Sequence, residues 1–167
     1  MQDPAVSRQG PPSISGLYFF DTSALLKRYQ KEPGTDIVNA IFDAPDCYVY
    51  VSSFSLLEVV SALDRKNREQ LLSEDTLTVI LERFWADLKL ERKAIVEIHD
   101  SHIKLAKNFI LAHHLRPPDA LILAQSLILK GWPADESTFV CSDKKLLSAA
   151  EALALRVLNP ESVSQPG

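Results

Sequence analysis

The stretch LYFFDTSAL, residues 17–25, decides the fold. Its first four residues are apolar and rich in aromatic side chains, which is typical of a short strand buried in a sheet. Thr22 and Ser23 follow with hydroxyl groups that can cap a helix, so a helix is predicted to begin at once. Asp21 therefore stands at the carboxyl end of a buried strand, where a strand gives way to a helix.

The same alternation of strand and helix continues along the chain. We predict further strands at residues 47–51, 94–98, 138–141 and 156–158. We predict helices at about residues 24–30, 37–42, 53–66, 74–88, 101–112, 118–130 and 144–154. Such alternation produces a parallel sheet with helices on both faces, so the predicted class is α/β, a three-layer α/β/α sandwich around a central parallel sheet. Ligands of such sheets bind beyond the carboxyl ends of the strands, which is where Asp21 and Asp143 are placed.

Length and composition indicate one domain of ordinary type. The chain has 167 residues, of which 46% are apolar and 24% charged, enough for one sizeable core. We interpret residues 1–15 as a disordered leader because Pro, Ser, Gln and Gly dominate them, residues 16–160 as the folded domain and residues 161–167 as a polar tail. No apolar run approaches the roughly 20 residues that cross a bilayer, and the leader lacks the apolar centre of a secretory signal. We therefore predict a cytoplasmic protein without membrane contact.

Cysteine usage and net charge narrow the possible functions. Cys47 and Cys141 are too few for a disulfide scaffold or a zinc cluster, and we predict both to be buried thiols. The formal net charge of −4 argues mildly against a broad nucleic-acid-binding surface. It does not exclude one, because clustered carboxylates would supply much of the acidity and bound cations would reverse its sign locally.

Four acids stand where a carboxylate has little structural use. Asp21 and Asp143 each follow an apolar strand, whereas Glu58 and Asp119 each interrupt an apolar helical pattern. A buried charge costs several kcal/mol, of order, unless something pairs with it, and no single Lys or Arg accompanies all four acids. A divalent cation is the simplest common partner. Each acid alone also has a plainer explanation, such as helix capping, a surface position or a favourable helix dipole.

Four strings of sequence, met in order, resemble one known family. They are FFDTSAL (19–25), LEVVSAL (57–63), LRPPDALILA (115–124), and SDKKLLSAA (142–150) running into LRVLNP (155–160). Together they resemble the PIN domain, specifically the VapC-like ribonucleases of toxin–antitoxin pairs, over about residues 17–160. The family's fold is the α/β/α sandwich predicted above, and its acidic quartet falls on Asp21, Glu58, Asp119 and Asp143.

The resemblance implies a metal-dependent endoribonuclease. Carboxylate oxygens suit Mg²⁺ or Mn²⁺, which can activate water for phosphodiester hydrolysis. On the resemblance, Asp21, Glu58 and Asp119 are the central ligands, and Asp143 is a further ligand or orients water. It also implies an RNA substrate, a homodimer and an antitoxin partner. As candidate contacts to the substrate we add Ser23, Arg116, Ser142 and Lys144.

Two alternatives remain open at this point. One is a non-catalytic PIN-like module that binds protein, and the other is a nuclease for a different nucleic acid. A haloacid-dehalogenase-type phosphatase needs a second Asp two residues after the first, where this chain has Ser23.

The chain also departs from many PIN domains at Cys141, where relatives carry Thr or Ser two places before the fourth acid. The apolar helices near residues 56–63 and 77–88 are candidates for the dimer interface.

Overall fold

The computed structural model of the protein describes residues 15–129 and 137–162. Those residues contain five strands: β1 (Gly16–Phe20), β2 (Cys47–Ser52), β3 (Lys93–Val96), β4 (Ser137–Val140) and β5 (Arg156–Leu158). They also contain seven helices: α1 (Thr22–Leu26), α2 (Thr35–Asp43), α3 (Ser53–Arg68), α4 (Glu74–Asp87), α5 (Asp100–His113), α6 (Pro117–Leu129) and α7 (Lys144–Ala152). In this part of the chain no helix combines the length and the apolar character that crossing a membrane requires.

All five strands form one parallel sheet, in the order β3-β2-β1-β4-β5. The central strand is β1, and Phe20 at its end pairs with Val51 on one side and Val140 on the other. Because the strands are parallel, their carboxyl ends all lie at one edge of the sheet. That edge collects the segments that follow β1, β2 and β4, which carry most of the predicted site residues.

Helices cover both faces of the sheet, which confirms the predicted α/β/α sandwich. Successive side chains of a strand point to opposite faces, so the adjacent Phe19 and Phe20 enter different cores. Phe19 packs with Phe139 and the apolar faces of α5, α6 and α7. Phe20 packs with Phe42 and with residues of α1 to α4. Both rings are fully buried, so β1 contributes side chains to both hydrophobic cores.

Several helix boundaries differ from the sequence prediction by a few residues. The first helix ends at Leu26 rather than near residue 30, and turns continue the chain from there. The predicted caps of α5, Asp100 or Ser101, are wrong: the capping residue is His99, whose backbone N–H donates to Nδ1 of buried His102 at 3.0 Å. The predicted stop of α6 at Gly131 lies outside the described residues, as do residues 1–14 and 163–167.

A buried polar network joins the turn after α1 to the end of α4. The Arg28 Nε donates to Oδ2 of Asp87 at 3.1 Å, and the Tyr29 hydroxyl donates to the same oxygen at 3.2 Å. A second acid, Asp43, contacts Arg28 Nη2 at 2.8 Å but is 64% exposed, whereas the Asp87 side chain is 11% exposed. Burial and the charge of Asp87 raise the pKa of Tyr29, which stays protonated and donates.

After β5 the chain crosses back to the loop that follows α1. The Glu161 Oε1 lies 2.7 Å from Nζ of Lys27, whose side chain is only 4% exposed. Gly34 has a left-handed φ of 89°, and a Cβ at this position would come within 2.8 Å of the Pro160 carbonyl carbon. Gly34 is therefore required by both its backbone conformation and the close approach of the chain. Glu161, placed in the polar tail by sequence, is held to the domain by Lys27.

Candidate active site

A cleft of about 510 Å³ opens at the carboxyl edge of the sheet. It is lined by Asp21, Thr22, Ser23, Leu26, Phe54, Leu57, Glu58, Ser61, Ala62, Arg65, Arg116, Pro118, Asp119 and Asp143. The structure thus brings the four predicted acids, which lie far apart in sequence, to the wall of one cleft. Ser23 and Arg116 join them, whereas Ser142 and Lys144 lie outside this lining.

Asp21 follows β1 directly and is 4% exposed. Its Oδ2 accepts a hydrogen bond from the Ser23 backbone N–H at 3.0 Å and another from the Ser23 hydroxyl at 2.5 Å. Asp21 therefore caps α1, and our expectation that Thr22 or Ser23 would take this role is wrong. A carboxylate accepts hydrogen bonds more strongly than a hydroxyl group. Asp21 also directly precedes the first helical residue, so its side chain can accept from the free N–H groups of the first turn. Asp21 caps the helix and lines the cleft at the same time.

Glu58 projects from the second turn of α3 and is half-buried. The Thr22 hydroxyl donates to its Oε2 at 2.5 Å and lies 3.0 Å from the buried Ser55 hydroxyl. From the sequence, Thr22 was considered only as a helix cap. The local pattern could not reveal its contact with Glu58, because the two residues are 36 positions apart.

Asp119 lies in the first turn of α6, with 17% of its side chain exposed. Arg116 holds both of its carboxylate oxygens, with Nε 3.0 Å from Oδ2 and Nη2 3.3 Å from Oδ1. The Arg116 side chain is itself 77% exposed. The residue that we predicted as a contact for substrate is thus paired with one of the candidate metal ligands.

Asp143 differs from the other acids because it is exposed. Its Oδ1 accepts from the Leu146 backbone N–H at 2.8 Å, so Asp143 caps α7. The expectation of four buried carboxylates is wrong, since Asp21 is buried, Glu58 and Asp119 are half-buried and Asp143 faces solvent. Lys144 is exposed too, at the start of α7.

Cys141 connects the segments that follow β1 and β4. Its fully buried Sγ accepts from the Asp143 backbone N–H at 3.2 Å and lies 3.6 Å from Oδ2 of Asp21. Burial, and then the charge of Asp21, raise the pKa of the thiol, which remains neutral. The Ser142 backbone N–H strengthens the same connection by donating to the Ser23 hydroxyl at 3.2 Å. As predicted, the thiols of Cys47 and Cys141 are both buried.

Burial and neighbouring charge raise the pKa of two carboxylates of the cleft. Burial raises the pKa of Asp21, and the charge of Asp119 raises it further, against the hydrogen bonds from Ser23. Burial also raises the pKa of Glu58, and the charges of Asp21 and Asp119 add to the increase. The Thr22 hydroxyl and Arg116 oppose it. Mutual repulsion of this kind is typical of a site that awaits a cation or a proton.

These raised pKa values predict a pH dependence of stability. The folded state binds protons at Asp21 and Glu58 more readily than the unfolded state does. Without divalent cations, the free energy of unfolding should therefore fall as pH rises from the ordinary carboxyl range, about pH 4, through the raised values. Urea unfolding in EDTA at successive pH values measures the effect. Asp21→Asn, which keeps a capping side chain, should flatten this decline; an unchanged pH profile would contradict the raised pKa of Asp21.

The donor set fits a hard divalent cation, although its members have other partners in this structure. Asp21, Glu58 and Asp119 offer carboxylate oxygens, which Mg²⁺ and Mn²⁺ prefer. Within residues 15–129 and 137–162, no three His, Cys, Asp or Glu side chains already stand close enough together to surround one ion. Instead Glu58 accepts from Thr22, and Asp119 is paired with Arg116.

Comparisons with known proteins agree with this architecture. The family model described as "PIN domain" matches residues 18–133. No curated protein matches the sequence.

Solved structures of three other proteins share the fold. VapBC2 from Rickettsia felis, solved bound to a DNA fragment from their promoter, has a TM-score of 0.60 and 16% identity, covering 86% of this chain and 98% of that chain. FitAcB from Neisseria gonorrhoeae has a TM-score of 0.60 and 18% identity, covering 87% and 99%. PAE2754 from Pyrobaculum aerophilum has a TM-score of 0.58 and 13% identity, covering 91% and 88%. At such low identity the likeness concerns the fold.

Proposed function

Because the chain belongs to the PIN domain family, whose members are generally nucleases, we propose that it is a metal-dependent endoribonuclease that hydrolyses RNA phosphodiester bonds. One observation carries the proposal: Asp21, Glu58 and Asp119 line the same cleft, and the charge of Asp119 raises the pKa of both Asp21 and Glu58. A module kept only for protein binding has no need of carboxylates that repel one another.

We assign the roles of the side chains from their positions in the cleft. Asp21, Glu58 and Asp119 would hold Mg²⁺ or Mn²⁺, with Asp143 as a further ligand or a group that orients water. A bound divalent cation supplies Lewis-acid stabilisation of the charge that develops on the phosphoryl oxygens. Thr22 fixes the carboxylate of Glu58, and Ser23 fixes that of Asp21. This fixed arrangement reduces the reorganisation that the reaction requires.

Substrate would enter across the basic part of the cleft. Arg65 and Arg116 line it, and guanidinium groups bind phosphate through two parallel hydrogen bonds. Ser23, Ser142 and Lys144 remain candidate contacts, the last two beside the lining. Phe54 and Leu57 form an apolar wall. Discrimination of RNA from DNA rests on the family resemblance.

The biological setting that we propose is a VapBC-type toxin–antitoxin pair in the cytoplasm. Its support is the fold shared with VapBC2 and FitAcB. The partner would be an antitoxin protein, and the nuclease itself would form a homodimer. Val79 on α4 is 63% exposed, so this predicted interface helix has apolar surface to bury.

The purified protein should cleave single-stranded RNA in the presence of Mg²⁺ or Mn²⁺. EDTA should abolish cleavage, and renewed addition of the metal should restore it, because the carboxylates alone cannot neutralise the developing charge. DNA of the same sequence is the matched substrate control. Cleavage of DNA at the same rate would favour a nuclease for another nucleic acid. Failure to cleave a broad panel of RNAs, together with failure to bind metal, would favour the protein-binding module.

A further inference from the structure

Arg116 is the cation that the acidic cleft binds in this structure. Both of its contacts to Asp119 lie within hydrogen-bond distance, one to each carboxylate oxygen. Its pKa is raised first by Asp119, and the charges of Asp143 and Glu58 add to the increase. The guanidinium group therefore lies in the combined field of three of the four acids.

We propose that Arg116 is a displaceable internal counter-ion: it neutralises Asp119 until a divalent cation binds, and its released guanidinium group then receives a phosphate of the RNA. This inference rests on the proposed function, because it assigns Asp119 to the metal. It adds a cation-responsive side chain that couples metal loading to substrate binding.

Competition follows from the chemistry of the two cations. A guanidinium group has five donors and no acceptor, so it cannot help to bind a metal ion. While it lies on Asp119, its charge opposes the approach of a second cation and its N–H groups use both carboxylate oxygens. Occupancy of Asp119 by Arg116 therefore weakens the binding of a divalent ion.

Displacement is easy because the pair is near the surface. The Arg116 side chain is 77% exposed, and water can solvate it once it leaves Asp119. Arg28 provides the contrast within the same chain: its side chain is 8% exposed and is held by two acids, so it is structural. Exposed ion pairs such as Arg116–Asp119 contribute only a modest interaction free energy.

Metal binding tests the proposal directly. We would titrate Mn²⁺ into wild-type protein, Arg116→Ala, Arg116→Lys and Arg65→Ala, using isothermal calorimetry and the electron paramagnetic resonance signal of free Mn²⁺. Arg65 is the matched control because it is an exposed arginine in the same cleft and forms none of the ion pairs found in the described residues. Both alanine variants remove one positive charge.

Arg116→Ala should bind Mn²⁺ about two- to fivefold more tightly than wild-type protein, the range expected from an exposed ion pair. Arg65→Ala should show a smaller change, and Arg116→Lys, which keeps the charge without the fork, should lie between wild-type and Arg116→Ala. Arg116→Ala should also raise KM for RNA at saturating Mn²⁺. Arg116 is exposed, so we expect every variant to fold, and thermal unfolding verifies this.

The outcomes separate the inference from the proposed function. If the wild-type protein binds Mn²⁺ and cleaves RNA but Arg116→Ala binds Mn²⁺ no more tightly than Arg65→Ala, displacement is overturned and the proposed function stands. If Mn²⁺ binding tightens without a rise in KM, the transfer of Arg116 to phosphate is overturned. If none of the four proteins binds Mn²⁺, both proposals fail.

Discussion

Asp21→Asn is expected to lower kcat/KM for RNA at least about a hundredfold, since the loss of a group that only orients a metal ligand already costs 10–100-fold and Asp21 is assigned as a ligand itself. Asn keeps the shape of Asp and can still cap α1, so the fold should persist. Removing a carboxylate with a raised pKa also removes repulsion from Asp119. Without metal, the variant should therefore be at least as stable as wild-type protein at neutral pH.

Cleavage assays and thermal unfolding on the same preparations measure this pair of effects. Asp75→Asn is the matched control: Asp75 is an exposed acid in the first turn of α4, outside the cleft lining, and the charge change is the same. The control should cleave RNA at the wild-type rate. Added Mg²⁺ should raise the melting temperature of wild-type protein and of the control, but not that of Asp21→Asn. An active Asp21→Asn protein would exclude the proposed site.

Asp87→Ala should destabilise the protein by about 3 kcal/mol, because it breaks a buried ion pair and leaves the buried Arg28 with one acidic partner, the exposed Asp43. Arg28 Nε and the Tyr29 hydroxyl would both lose their acceptor. The loss should appear as a lower midpoint in urea unfolding, with the slope unchanged.

Asp43→Ala is the control for this variant, because Asp43 contacts the same Arg28 from an exposed position. An exposed pair contributes about 0.2–1 kcal/mol, so this variant should unfold close to the wild-type midpoint. Equal losses from the two variants would mean that burial does not determine the strength of the Arg28 network.

The fold was predictable from sequence because its signals are local. Four apolar residues before Asp21, and the strand–helix alternation after it, are enough to predict a parallel sheet. The position of the acids at its carboxyl edge follows from the same topology. Both ends of β5 (Arg156–Leu158) were predicted correctly. The reason is that this short β-rich segment stands between a helix and Asn159-Pro160.

The site was less predictable because its contacts join distant segments. The bond from Thr22 to Glu58 and the position of Cys141 beside Asp21 depend on how β1, α3 and β4 pack. Spacing in sequence could not show that Asp143 faces solvent, since a strand end can be buried or open. The pairing of Arg116 with Asp119 is local, at i and i+3, and the spacing alone could have suggested it.

Assembly of the cleft has a consequence for synthesis on the ribosome. The central strand, β1, is synthesised early, but its neighbour β4 is synthesised much later. Leu17 of β1 pairs with Ser137 of β4, which is 120 residues further along the chain. Lys27 likewise waits for Glu161, which is 134 residues away. Contacts of such long range form late in folding. A nascent chain that stops before β4 holds Asp21 without Cys141 or Asp143, so a truncated translation product should have no nuclease activity.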